Sequence, residues 1–150
     1  MLQDRALPRL VAVEFPLAPR PFTDATCAMP PHLYGSFART ERGCEILEHS
    51  NVIPPLLAAL RGDPMPAVRR GALWALAHIG SCGPGFTLLR RHEPHIIAYL
   101  TTLALTASSI SWRGACLQAL GLFARCSVAL AELNSLGWGC PGAPRCRSVV

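Results

Sequence analysis

Trp74, His78, Ser81 and Cys82 fall close together in GALWALAHIGSCGPGFTLL, residues 71–89. A thiol or hydroxyl beside an imidazole offers nucleophilic chemistry, but the base needs a third group to orient it. No acidic residue stands between Asp63 and Glu93 to serve. Residues 80–84 read GSCGP, so Ser81 directly follows its glycine and the Gly-x-Ser-x-Gly elbow is absent. The stretch reads as a helix end, a turn from Gly80 to Gly85, and the start of the next helix, with Cys82 incidental. His92 and His95 have the look of a metal pair. Pro94 between them breaks helical spacing, and no further ligand completes a tetrahedron. Cys140 and Cys146 enclose five residues with no histidine near, which is not a zinc signature. No phosphate-binding glycine loop is present. No catalytic residue, metal or cofactor is expected.

The elements that carry these residues follow from composition. Half of the 150 residues are apolar (51%), which is enough for a packed core and excludes a disordered chain. The net charge of +5 rests on fourteen arginines and no lysine. The lysine-free composition, rich in Ala, Gly and Pro, fits coding bias in a GC-rich genome. The arginines are dispersed, with adjacent pairs only at Arg69–Arg70 and Arg90–Arg91. No basic face or nucleic-acid-binding module emerges, so no nucleic-acid partner is expected. Seven cysteines at irregular spacing, without Cys-x-x-Cys, suit a reduced compartment better than a disulfide framework. Residues 94–112 lack a fully charged side chain, but three Thr, three Ser and a His dilute them, so no integral membrane span is expected.

The chain divides into a Pro-rich irregular lead-in over 1–31, a helical domain over 32–138 and an unstructured tail over 139–150. The middle part repeats itself. ERGCEILEHSNVIPPLLAAL (41–60) is echoed by GPGFTLLRRHEPHIIAYLTTLAL (83–105), with Gly43 matching Gly85 at a spacing of 42. AVRRGALWALAHIG (67–80) is echoed by ISWRGACLQALGLFA (110–124), where Leu76 matches Leu120 and Ile79 matches Phe123, at a spacing of 44. Ala129 sits 44 residues after Gly85 and opens a third, partial copy. All-helical periods of this length belong to armadillo/HEAT-like arrays, here of about two and a half repeats.

The periodicity predicts a helix from Ala67 to Gly80, with Gly80 as its C-terminal cap. At 100° per residue, Val68, Ala72, Ala75, Leu76 and Ile79 share one face, and Arg70, Trp74 and His78 lie opposite. Trp74 therefore points away from the main core, towards a neighbouring repeat. The echo helix places Trp112, Cys116, Leu120 and Phe123 inward. His78 matches Leu122, which marks a packing position.

Several blocks in order resemble one family. PPHLYG (Pro30, Pro31, His32, Leu33, Tyr34, Gly35) precedes TERGCEILEHSNVIPPLL (40–57), which holds Gly43. GALWALAHIGSCGPGFTLL contributes Leu73, Trp74, Ala75, Leu76, Ile79, Gly80, Ser81 and Gly85. WRGACLQALGLFAR (112–125) holds Arg113, Gly114, Leu120 and Gly121, and LNSLGW closes on Trp138. Over residues 30 to about 138 these blocks resemble a C-terminal segment of the Rictor/Pianissimo family, the rapamycin-insensitive companions of the TOR kinase. Ala77 and His78 depart from that family's Gly-Asn.

The resemblance implies a non-catalytic armadillo/HEAT-like scaffold within TOR complex 2. The partners it implies are TOR kinase and the other subunits of the complex. It further implies support of complex assembly and of signalling to AGC-family kinases, with effects on actin organisation and growth. The location it implies is cytoplasmic, or peripheral at membranes as part of the complex. An unrelated helical-repeat adaptor is the alternative, ahead of a membrane-associated protein built on 94–112 and, last, an enzyme.

Overall fold

The computed structural model describes residues 32–62 and 64–139. The expected lead-in over 1–31 and the tail from 140 onward lie outside the described residues. Within them the chain forms eight α-helices and no strand. These are α1 (Leu33–Ala38), α2 (Glu41–His49), α3 (Ile53–Gly62), α4 (Pro66–Gly80), α5 (Gly83–His92), α6 (Ile96–Thr106), α7 (Ile110–Phe123) and α8 (Ser127–Ser135).

Local signals set these boundaries. Thr40 caps α2 by accepting a hydrogen bond from the Gly43 N–H (3.1 Å), and Ser109 caps α7 through the Trp112 N–H (3.3 Å). Prolines stand in the first turns of α3, α4 and α5, where their missing N–H costs no intrahelical bond. Arg90, Arg91 and His92 fill the last turn of α5, where positive charge suits the helix dipole.

The period read from the sequence is the period of the fold. Glu41, Gly83 and Ser127 open α2, α5 and α8, at spacings of 42 and 44. Each repeat thus has a first, a second and a third helix: α2–α3–α4, then α5–α6–α7, then α8 alone. First helices pack on first helices (α2 on α5, α5 on α8), and third on third (α4 on α7). α1 packs on α4 as α4 packs on α7, so α1 occupies the place of a preceding third helix. Phe37, Ile79 and Phe123 hold equivalent positions near the ends of α1, α4 and α7.

The core runs between the rows. Leu76, Ile79, Phe86, Leu89, Ile97, Leu100 and Phe123 are buried. The Phe86 and Phe123 rings meet edge-on, with centroids 6.0 Å apart, and tie α5 to α7. Cys116 is fully buried and Cys126 nearly so, and both behave as small hydrophobes.

Two expectations require correction, at Val68 and Gly80. Val68 is 41% exposed and takes no part in the buried face. Its position lies in the first turn of α4, before the helix dips beneath its neighbours. His78, opposite the main apolar face, is 7% exposed beneath α1, which agrees with its reading as a packing position. Gly80 is not a left-handed cap: among the described residues only Asn51 and Gly137 have positive φ. A β-carbon at Gly80 would run into the Phe123 ring, so close approach of α7 demands the glycine.

The same constraint acts harder at the joints. A β-carbon at Gly43 would strike the carbonyl oxygen of Phe37, and one at Gly85 the carbonyl oxygen of Ile79 and the side chain of Ala38. α2 and α5 therefore lie almost on the backbone at the ends of α1 and α4. Gly85→Ala is expected to destabilise the fold by about 1–3 kcal/mol, the usual cost of overpacking a site that cannot relax. Gly121→Ala, in α7 with open space around the new methyl, is expected to stabilise it by about 0.5–1 kcal/mol. Urea denaturation midpoints of the two variants should move in opposite directions.

Candidate protein-interaction groove

The row of third helices presents a groove of about 880 Å³ between α4 and α7. Ala67, Gly71, Gly114 and Ala115 are the small residues among those that line it. Trp74, 38% exposed, Gln118, Arg70 and Ser111 line it as well. Arg70 Nη2 donates to Ser111 Oγ at 3.0 Å and ties the two helices across the groove.

Repeated arginine contacts hold these helices at their spacing. Arg69 Nε donates to the Leu60 carbonyl (3.3 Å), and Arg113 Nε to the Ala104 carbonyl (3.1 Å). Both acceptors lie in the last turn of a second helix, where carbonyls lack intrahelical partners. Arg69 also lies over the Trp112 ring, 4.8 Å from its centroid, and so reaches from one repeat to the next. Arg113 was legible as part of a family block. Arg69 was legible only through its 44-residue equivalence to Arg113, and the groove residues Arg70, Ser111, Ala115 and Gln118 carried no motif.

The second arginine pair also has internal partners. Arg91 pairs with Glu48 of α2 (3.4 Å) and Arg90 with Glu132 of α8 (4.0 Å), so the two side chains diverge to the repeats before and after. Arg61 pairs with Glu93 at the α5–α6 joint, which also places His92 and His95 on either side of a polar turn. No cluster of three or more metal-ligating side chains exists among the described residues.

At the other edge of the row, imidazoles stack. The His32 ring lies parallel to His78 (4.7 Å, 8°), and Trp74 meets His78 edge-on at 5.2 Å. Gly35 lets α1 approach, since a β-carbon there would sit 3.0 Å from His78 Cβ. Burial lowers the pKa of His32, and burial, then the neighbouring His32 and Arg125, lower that of His78. His32 Nδ1 is buried without a hydrogen-bond partner.

Cys82 is the N-cap residue of α5, as Cys126 is of α8 and Thr40 of α2. Its thiol donates to the Ala38 carbonyl at 3.1 Å, an acceptor it shares with Cys44 (3.4 Å). Burial pushes both thiols above their ordinary pKa, which keeps them protonated as donors. Cys82 is therefore a structural repeat position and not an incidental residue.

The structure disperses the other motif residues through the packing. Leu73, Ala75, Leu76, Ile79 and Leu120 are buried, and Ser81 donates back to the His78 carbonyl at 2.8 Å. Leu33 is exposed and Tyr34 lies near His32. Gly121 faces open space. Trp138 is half-buried after Gly137, with its N–H on the Leu133 carbonyl. Pro30 and Pro31 lie outside the described residues. Of the motif residues, Leu73, Trp74 and Gly114 meet in the groove.

A family model described as "Rapamycin-insensitive companion of mTOR, domain 5" matches residues 67–139, and an armadillo/beta-catenin-like repeat model matches residues 45–81. Protein pianissimo A of Dictyostelium discoideum is 31% identical over 114 residues, 75% of this chain and 10% of that protein. The human rapamycin-insensitive companion of mTOR is 33% identical over 115 residues, covering 73% of this chain and 7% of its own length. The chain belongs to the Rictor family. A further member, the target of rapamycin complex 2 subunit ste20 of Schizosaccharomyces pombe, is 30% identical over 119 residues, 73% of this chain and 9% of that subunit. The chain thus matches a tenth or less of the length of these Rictor-family relatives. The armadillo match starts within α2 and ends just past α4, so it covers most of the first complete repeat of the fold.

The histidine stack makes stability depend on pH. Both pKa values are lowered on folding, so the unfolded chain binds more protons as pH falls through about 6.5, the ordinary histidine value. Stability is full above that value and is expected to fall between pH 7 and pH 5. His78→Leu, the residue at the equivalent position 122, should flatten this slope in thermal melts taken across that range.

Proposed function

We propose that this chain acts as a non-catalytic scaffold segment of target of rapamycin complex 2. In that role it supports assembly of the complex around TOR kinase and, through it, signalling to AGC-family kinases. The observation that carries the reading is the kinship with a fission-yeast protein named as a subunit of that complex, across nearly three-quarters of this chain. The fold supports it: stacked helices offer extended surface, and the Cys82 thiol and the His32 and His78 rings are engaged in packing contacts. Residues 32–138 form the working unit in this proposal, and the lead-in and tail lie outside it. Among the family-motif residues, Trp74 and Gly114 face a partner, and Gly43, Gly80 and Gly85 keep the repeats in register. The location is cytoplasmic, with peripheral membrane contact through the complex. No helix among the described residues is long and apolar enough to cross a membrane.

Tagging the protein at its own locus, purifying it and identifying what accompanies it by mass spectrometry tests the proposal. TOR kinase is expected among the co-purifying proteins. Its consistent absence would remove the complex and leave only the helical-repeat fold.

A further inference from the structure

The stack uses one interface repeatedly, and its two sides can be compared position by position. Leu73, Ala77 and Gly80 lie along one stripe of α4, at i, i+4 and i+7. All three are buried, and the Phe123 ring of α7 lies against Gly80. Their equivalents in α7, 44 residues on, are Leu117, Gly121 and Ala124. Leu73 is 1% exposed and Leu117 is 48% exposed. Gly121 has open space around it, and Ala124 is half-buried. α4 and α6 pack on α7 as α1 and α3 pack on α4. What α7 lacks among the described residues is a following third helix. The first helices agree: Phe86 of α5 is buried against Phe123, and Leu130, its equivalent in α8, is exposed.

The covering side of the same interface stands free at the other end of the stack. Phe123 covers α4, and its equivalent in α1 is Phe37, which is exposed. Glu132 of α8 reaches back to Arg90 of α5, so its position faces the preceding first helix. The equivalents of Glu132 are Leu88 in α5 and Ile46 in α2. Leu88, with α2 before it, is 2% exposed, whereas Ile46, with no described first helix before it, is 45% exposed. One chain thus carries both halves of its own repeating interface. Leu117, Gly121, Ala124 and Leu130 form the receiving half, and Phe37 and Ile46 the covering half. None of the six is charged, so bringing the halves together strips no ion among them of its water.

We infer that copies of this chain dock head to tail, the α1–α2 end of one on the α7–α8 end of another. Phe37 of the second copy lies beside Ala124 and Leu130, as Phe123 lies beside Gly80 and Phe86. Ile46 of the second copy faces α8. An alanine is compatible with the receiving position, since Ala38 holds it in α1 and is fully buried. The contact joins two different surfaces, so it leaves a free end of each kind and propagates into open chains. The inference rests on the repeat fold and goes beyond the role in the kinase complex.

The test is analytical ultracentrifugation of the full 150-residue chain over about 1–100 µM. The weight-average mass is expected to exceed the 16.1 kDa of the monomer and to climb past the dimer as concentration rises. Ile46→Glu, which blocks one end, and Leu117→Glu, which blocks the other, should each weaken association by about tenfold or more. An equimolar mixture of the two variants should form a one-to-one dimer and nothing larger, because each supplies the end the other lacks. Neither non-specific aggregation nor a two-fold dimer gives that result. Both residues are exposed, so both variants should keep the wild-type helical circular dichroism. If either unfolds, Phe37→Glu or Leu130→Glu blocks the same end in its place. A chain that stays monomeric, a mass that levels off at the dimer, association indifferent to both substitutions, or a mixture that stays monomeric would each overturn the inference. A negative result leaves the complex assignment intact, and absence of TOR kinase from the purified material leaves the self-association result intact.

Discussion

The closeness of backbone to backbone at the repeat joints governs the architecture. Gly43 lies against the Phe37 carbonyl and Gly85 against the Ile79 carbonyl, each six residues after its contact. Ala129 holds the same place in α8 and is fully buried. With each first helix so near the end of the preceding third helix, the second and third helices must fold back over it. The rows, the core between them and the groove along the third helices all inherit that spacing. A side chain at Gly85 would push α5 away from both Ile79 and Ala38 and so loosen two repeats together.

Within that frame, charge has been distributed by structural need. The two arginine pairs invite a reading as basic recognition surface. Arg69, Arg90 and Arg91 instead go to a helix end, an aromatic ring and carboxylates of adjacent repeats. The exposed ion pairs contribute little stability individually. Their geometric effect is larger, because each joins positions 42 or 43 residues apart and so favours one register of the stack. Using these cations internally leaves Arg70 as the exposed cation of the groove, with the described acidic residues on the first helices or at the α5–α6 joint.

The reactive side chains have been absorbed in the same way. The thiols of Cys44 and Cys82 converge on the carbonyl that ends α1, which has no helical partner of its own. His78 and His32 form a stacked pair that seats α1 on α4. Both arrangements need the neutral form of the group, and burial favours that form in each case. A catalytic site needs the reverse: a thiolate, or a base exposed to substrate.

The sequence alone determined the helical class, the period of 42 to 44 residues, most of the inward faces and the kinship with the Rictor family. These are properties of spacing along one chain segment: apolar side chains every three to four residues, capping hydroxyls, prolines in first turns and glycines at fixed offsets. Tertiary structure decided the rest. Val68 looked inward by helical angle yet is exposed, and the neighbour that buries His78 proved to be α1, because α1 covers one end of α4 and not the other. The purpose of Gly80 appeared only with the Phe123 ring beside it. The groove appeared only when Arg70 met Ser111, 41 residues away. Each outcome depends on which side chain of another repeat arrives at a given point in space, and local periodicity carries no record of that.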